Sequence, residues 1–457
     1  MIPSRLSTAG LATLLMAVAA GLAGCAGYTA RPLPASPSTH ANLAELKVDA
    51  DRLRLEPLKP VRVDASDGLD PNEIAVLAVL NSPDLRAKRA AAGVSRAQVF
   101  DAGLLPDPQI SLSADFPTTP GAAIAYSAAA SLDVQALLTR SATLASAKAS
   151  AQQTDLDLLW SEWGAAQQAR QLAQTAVADE TRAAALRKVR DQAADRYARS
   201  HAAELRGDVS AQAAGADLAV QLDAQAQLNS AEYDAAKARR DLNALLDLKP
   251  EVMLPLVAEH GDPPIYDETA VASASAALAS RRPDLLALQA GYAAGNANLR
   301  KAILSQFPLL NVSGNHARDN SNISSNGAAA TFALPIFNGN RGQVAIEKAT
   351  REQLHEEYQA RLDQTEAEVA NDQAELATAL RQLAELQASV PRLEAVADRS
   401  AAAFARGDID SGAYLALVQA AYSRRADLED KRLAARQAEA ALETALFLPP
   451  AGLRAAR

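Results

Sequence analysis

Reactive side chains are few in this 457-residue sequence, and their spacing argues against chemistry. Cys25 is the only cysteine, so there is no internal disulfide and no thiolate cluster for zinc or an iron–sulfur centre. The five histidines, His40, His201, His260, His316 and His355, are scattered without metal-ligand spacing. No glycine-rich phosphate loop is present, and no Ser/His pair sits in a supporting motif. We expect no catalysis, no metal site and no cofactor. The polar residues that recur in a pattern are of another kind. Arg206-Gly207-Asp208 returns as Arg406-Gly407-Asp408, with Asp410 close behind, and two short runs alternate in polarity. Ser111, Ser113 and Asp115 alternate with Ile110, Leu112, Ala114 and Phe116. Asn311, Ser313 and Asn315 alternate with Leu310, Val312 and Gly314.

These features belong to a tandem duplication with an offset of 200 residues. Pro83-Asp84-Leu85 recurs as Pro283-Asp284-Leu285, Pro108 as Pro308, and Leu242, Leu246, Leu248 and Pro250 as Leu442, Leu446, Leu448 and Pro450. The offset is far longer than a solenoid repeat, so these are two halves of one structure. Each half reads as a short helical stretch, a β-like segment and a long helical tract. Residues 121–249 contain no proline and residues 341–448 only Pro391, and both tracts are rich in Ala, Leu, Gln, Glu and Arg. Leu362, Val369, Leu376, Leu383 and Val390 recur every seventh residue, which predicts a helix-packing seam. Glycine is unfavourable inside a helix and common at its end, so Gly207 and Gly407 are read as turns between antiparallel arms. Arms of about 60 residues, roughly 90 Å each, follow from this reading.

The alternating runs predict strands, each followed by a Pro-, Gly-, Asn- or Ser-rich turn (117–121; 319–327) and a second β-like run (about 122–134; about 328–336). Period-two alternation fits a half-buried soluble sheet as well as a membrane barrel. Four strands cannot close a barrel alone, because about eight is the practical minimum. A barrel here needs several chains.

The N-terminus carries an export pattern: Arg5, an apolar run of roughly 13 residues from Leu11 to Ala23, and then Cys25. The run is too short to span a bilayer core, which takes about 20 residues. Leu22-Ala23-Gly24-Cys25 resembles the lipobox of bacterial lipoproteins, which implies cleavage before Cys25 and a covalent lipid anchor on it. With Ala26 rather than Asp next, the resemblance implies sorting to the outer membrane. Removing residues 1–24 takes Arg5 away and moves the formal charge from −9 to −10. So acidic a chain is a poor nucleic-acid binder, and no nucleic acid is expected as a partner.

Signal, lipobox, two halves, paired strands, long helical hairpins and glycine turns together resemble the TolC-type outer-membrane efflux family. Asn81-Ser-Pro-Asp-Leu85, Arg282-Pro-Asp-Leu285, Ala333-Leu-Pro-Ile-Phe-Asn-Gly-Asn-Arg341 and Phe404-Ala-Arg-Gly-Asp-Ile409 carry the resemblance, which covers about residues 65–448. It implies a mainly α chain with a small β part, built as a TolC-like duct. In such a duct, a homotrimer shares a 12-stranded barrel in outer-membrane lipid above a periplasmic α-helical barrel. A periplasmic adaptor (membrane fusion) protein and an inner-membrane RND-type pump are the implied partners. The divisions are 1–24 signal peptide, 25–64 lipid-anchored strap along the outside, and 65–250 first repeat (strands about 108–134, helices about 138–248). A linker with a short helix (251–282) precedes the second repeat, 283–450 (strands about 308–336, helices about 341–448), and a tail, 451–457.

On this resemblance Ser111, Ser113, Asp115, Asn311, Ser313 and Asn315 face the lumen, and Ile110, Leu112, Phe116, Leu310 and Val312 face lipid. Arg206, Gly207, Asp208, Arg406, Gly407, Asp408 and Asp410 form the periplasmic tips, as adaptor contacts, closing interactions or simply solvated charged turns. Several family members carry acidic residues just beyond the second tip glycine. This chain has Ala413 and Ala416 there, so either Asp408 and Asp410 take over or the aperture is less cation-selective. Trp160-Ser-Glu-Trp163 resembles members that accompany metal-cation pumps, although Met253 is the one methionine left after signal removal. The competing reading is a periplasmic coiled-coil lipoprotein scaffold or adaptor that never spans the membrane. It should lack paired strands at matching positions.

Overall fold

In the computed structural model, the described residues are 28–49, 53–55, 58–59, 61–257, 267–307, 310–333 and 335–449. The signal peptide, Cys25, Pro308 and the C-terminal tail lie outside them. The chain divides into two units, residues 1–39 and 40–457; in the first, residues 28–39 form no regular element.

After a 3-10 turn at Leu43–Glu45, the first α-helix begins where the sequence supplies a complete helix start. Asp70 accepts hydrogen bonds from the Asn72 and Glu73 amides, Glu73 Oε2 accepts from the Asp70 amide (2.8 Å), and Pro71 fixes the first helical φ. Helix α1 (Pro71–Asn81) follows, then α2 (Pro83–Gly103), strands β1 (Gln109–Asp115) and β2 (Ala125–Asp133), and helices α3 (Val134–Leu205) and α4 (Ala211–Leu245). The second half runs α5 (Glu268–Ala276), α6 (Leu278–Arg281), α7 (Pro283–Leu304), β3 (Leu310–Arg318), β4 (Ser324–Phe332), α8 (Arg341–Ala405) and α9 (Ser411–Ala445).

The hairpin arms are unequal, which corrects the equal arms of about 60 residues. α3 has 72 residues, about 108 Å at 1.5 Å each, and α8 has 65, while α4 and α9 have 35 each. The turn glycines sit past the middle of each uninterrupted tract, so the return arm covers only half of the outgoing one. α4 pairs with the distal half of α3 (Arg187–Glu232, 2.6 Å; Arg196–Asp217, 2.7 Å). α2 and α7 take the proximal half. Ser95 meets Thr154 (3.0 Å), and a Cβ at Gly291 would stand 2.9 Å from Gln153 Oε1. α7 also meets α8, where a Cβ at Gly295 would stand 2.7 Å from Leu354.

The seven-residue seam forms as expected. Val369, Leu376, Leu383 and Val390 are buried, and Leu428, Ala435 and Leu442 of α9 join the same two clusters. α8 passes through Pro391 without ending. Between α3 and α4 Leu228 packs with Ala183 and Ala231, whose small side chains let the helices approach closely.

Both return arms end in a left-handed residue that is not glycine, again 200 residues apart: Asp247 (φ 61°) and Phe447 (φ 51°). Leu248 N donates to Asn243 O (2.8 Å) and Leu448 N to Glu443 O (2.9 Å), the six-to-one bonds of a Schellman cap. The left-handed conformation costs about 1–2 kcal/mol for such residues. An ion pair between Asp247 and Arg86 offsets it in the first half, and an edge-on contact of Phe447 with buried Trp163 (5.2 Å, 71°) in the second.

Residues 40–63 correct the expectation of an external strap. Leu46, Leu53, Leu55 and Leu58 are buried in the cores built by α1, α2 and α3. Backbone bonds from His40 N to Asp247 O (2.8 Å) and from Lys249 N to His40 O (2.9 Å) fix this segment to the end of the first repeat. Among the described residues no helix is long and apolar enough to cross a membrane.

Candidate functional site

The four strands form one antiparallel sheet in the order β1-β2-β3-β4. β2 and β3 are neighbours although the whole first helical hairpin separates them in sequence. β4 starts at Ser324, inside the stretch expected to be turn. Asp319 tightens the connection by accepting from the Ser321 and Ile323 amides (2.9 Å each), so the turn closes by residue 323.

Register places every residue expected in the lumen on one face. Ser111, Ser113 and Asp115 pair with Ala129, Ser127 and Ala125; Ala129 and Ser131 continue to Asn315 and Ser313; Asn311, Ser313 and Asn315 continue to Thr331, Ala329 and Gly327. Ser113 and Ser127 hydrogen-bond across the strands at 2.9 Å. The opposite face carries Ile110, Leu112, Leu132, Leu310, Val312 and Phe332 among alanines, and Ile110 and Leu112 are 74% and 67% exposed. Towards the β-turn end this face becomes polar, with Tyr126 against His316 (6.3 Å) and His316 bonded to Asn326 (2.7 Å). The outer edges of β1 and β4 pair with nothing among the described residues.

The two tips are built alike. Gly207 (φ 81°) and Gly407 (φ 79°) take the left-handed conformation that glycine adopts without a Cβ clash. Asp208 N donates to Ala203 O and Asp408 N to Ala403 O, both at 2.9 Å, closing Schellman motifs. Arg206 Nε meets Asp208 Oδ2 and Arg406 Nε meets Asp408 Oδ2, again both at 2.9 Å. Ser210 caps α4 and Asp410 caps α9, each accepting from the amide three residues on. The acidic groups of the tips are thus engaged in the turn itself, while Ala413 and Ala416 are exposed. The second tip adds a stacked pair, Phe404 and Tyr414, with rings 5.1 Å apart and nearly parallel.

A third cluster escaped sequence reasoning. Arg282, fully buried, donates to both oxygens of Asp284 (2.9 and 2.7 Å) and to Ala445 O (3.0 Å), and lies over the Trp160 ring at 4.6 Å. Arg361 joins Asp284 (2.8 Å) to Glu368 (2.8 Å), linking α7 to α8. Burial disfavours ionisation of Asp284, but hydrogen bonds and charge from Arg282 and Arg361 outweigh it and hold the carboxyl below the usual range. Nearby Asp157 is pushed up by burial and then by Asp284; Asp372 is pushed up by burial, Glu375 and Glu368. The available signal was a mismatch just before the repeated Pro-Asp-Leu, Ser82 against Arg282. Trp160 and Trp163 both serve packing, since Trp163 is buried against Phe447 and donates to Thr444 O (3.3 Å).

Residues 274–446 match the family model described as outer membrane efflux protein. The match falls on the second of the two repeats. A search of curated proteins found no match. Among solved structures, the chain resembles CusC, with TM-score 0.67 and 16% identity over 92% of this chain and 99% of that one. The Campylobacter jejuni CmeC outer membrane channel is similar (TM-score 0.67, 15% identity, 92% and 94%). So is the open state of the Neisseria gonorrhoeae MtrE outer membrane channel (0.62, 16%, 94% and 98%). The fold is therefore TolC-like and mainly helical, the proteins it resembles are channels rather than enzymes, and the paired strands stand where the scaffold reading required none.

Proposed function

We propose that this chain is the outer-membrane channel of a tripartite efflux pump, a passive duct that carries solutes from a periplasmic adaptor and an inner-membrane RND-type pump to the exterior. One observation carries the reading. The sheet has a polar face, an exposed apolar face and two open edges, and it stands at the foot of two long helical hairpins. An exposed apolar face needs a cover, and open edges need strands. Three copies supply twelve strands, an even number within the range of closed outer-membrane barrels. Nine-residue strands, about 30 Å long, tilt to span an apolar band of about 25 Å.

On this reading the face bearing Ser111, Ser113, Asp115, Asn311, Ser313 and Asn315 lines a water-filled lumen, and the other face meets outer-membrane lipid. The helices cross the periplasm, and the Arg-Gly-Asp tips meet the adaptor. Lipid on Cys25 serves sorting and assembly, because the shared barrel already holds the membrane. The test is purification in detergent followed by reconstitution into planar bilayers. A homotrimer with steady ion conductance supports the duct; a monomer that stays soluble without detergent after Cys25→Ser contradicts it.

A further inference from the structure

The polar face of the sheet carries charge of one sign only. Register puts seventeen residues on it: Gln109, Ser111, Ser113 and Asp115 of β1; five alternate residues of β2 from Ala125 to Asp133; and four each of β3 and β4, from Asn311 to Ala317 and from Ser325 to Thr331. Asp115 and Asp133 are the ionisable ones, and no Lys, Arg or His joins them. The one strand arginine and the one strand histidine, Arg318 and His316, are on the opposite face. Asp115 closes β1 at the β-turn end, exposed and with no ion pair among the described residues. Asp133 stands at the helical end, where it caps α3 by accepting from Ala136 N (3.1 Å). At the tips, by contrast, Asp208 and Asp408 are each neutralised by an arginine two residues away.

We infer that Asp115, supported by Asp133, is the charge selector of the duct, so that the barrel section favours cations over anions. This rests on the trimeric duct proposed above. Three chains place a ring of three Asp115 carboxylates at the outer mouth and a ring of three Asp133 at the inner end, with no cation between them. Rings of one sign inside low-dielectric walls focus the potential and enrich the counter-ion. The cargo this suits is cationic or neutral, and anionic solutes meet a barrier at the last step before release.

The measurement is the reversal potential of single trimers in planar bilayers under a potassium chloride gradient. The expected potassium-to-chloride permeability ratio is roughly 3 or more at low salt, falling towards 1 near 1 M, where the screening length is about 3 Å. Asp115→Asn lowers the ratio at least about twofold. Asp115→Asn with Asp133→Asn, which keeps a competent helix cap, brings it close to unity, and Asp115→Lys favours chloride. A conducting wild-type channel that is unselective or anion-selective overturns the inference while leaving the duct intact. So does an unchanged ratio in the conducting double variant. The wild-type salt dependence decides the matter even where a variant fails to assemble, because selectivity that persists undiminished at 1 M contradicts a screened carboxylate ring. A trimer that never conducts refutes the duct itself, and this inference with it.

Discussion

The two tips and the two roots of the hairpins differ in opposite ways. At the tips the halves agree to within 2° in the glycine φ and share the same Arg–Asp pair, and only the second adds the Phe404–Tyr414 stack. At the roots the caps of α2 and α7 hold Ser82 and Arg282. The first half has no counterpart of the Arg282–Asp284–Arg361–Glu368 network, because Ser82, Ser161 and Gln168 stand where Arg282, Arg361 and Glu368 do. Duplication preserved the backbone turns, where only a glycine or a tight cap will serve. The charge at the root diverged, because there many side chains satisfy the same helices. The tips are shared machinery, and the root is where the second half became distinct.

The largest expected effect lies at the root. Arg282→Ser makes the second half resemble the first and leaves Asp284 buried among helices with half its partners gone. Losing one partner of a buried pair costs about 3–5 kcal/mol, read as a fall in the melting temperature. Asp284 has a lowered folded-state pKa, so its contribution is complete above the ordinary aspartate range and is lost as pH falls through the folded value. The gap between wild type and variant should therefore shrink in acid. A gap that grows below pH about 4 would contradict this assignment.

Next come the turn glycines. Gly207→Val and Gly407→Val place a β-branched residue at positive φ, costing about 1–2 kcal/mol each. Nothing crowds either Cβ position, so the two costs should match. Hydrogen exchange at the two tips measures them, and a clear inequality would break the claim of a shared backbone device.

Phe404→Ala removes a stack worth about 0.5–1.5 kcal/mol and should speed exchange at the second tip alone. Glu204→Ala, the equivalent position, removes only an exposed contact with His201 (3.2 Å) and should change the first tip less. Equal responses would mean the stack does not distinguish the tips.

The smallest effect is at Asp372, whose counterpart is Leu172. Its carboxyl is pushed up, so the folded state disfavours its charge, and the penalty grows as pH rises through the folded value. Asp372→Asn should raise the melting temperature slightly at neutral pH and not at all in acid. A decrease at neutral pH would show that the carboxylate makes a favourable contact.

Much of this was legible in the sequence for a physical reason: the duplication repeats the residues that backbone geometry requires. The Arg-Gly-Asp turns, the seven-residue seam and the alternating polar set are such residues. What escaped depended on distant partners. Ser324-Ser-Asn-Gly327 has the composition of a turn, but it is strand because small residues pair well beside Asn315 and His316. Leu53, Leu55 and Leu58 lie in a proline-containing stretch with no helical or strand period, so their burial came from tertiary packing alone. The shortness of α4 and α9 followed from α2 and α7 occupying the proximal halves of the long helices. The Arg282 network joins residues 86 apart and cannot be read from local pattern.

The central claim is that one face of the sheet meets water and the other meets lipid. Cysteine replacement along β1 and β3 tests it directly, against the low background of a chain whose sole cysteine is Cys25. In proteoliposomes, a charged water-soluble maleimide should label cysteines at 111, 113, 311 and 313 and spare those at 110, 112 and 312. Labelling without that alternation would mean that both faces see water, and the sheet would not be the wall of a membrane duct.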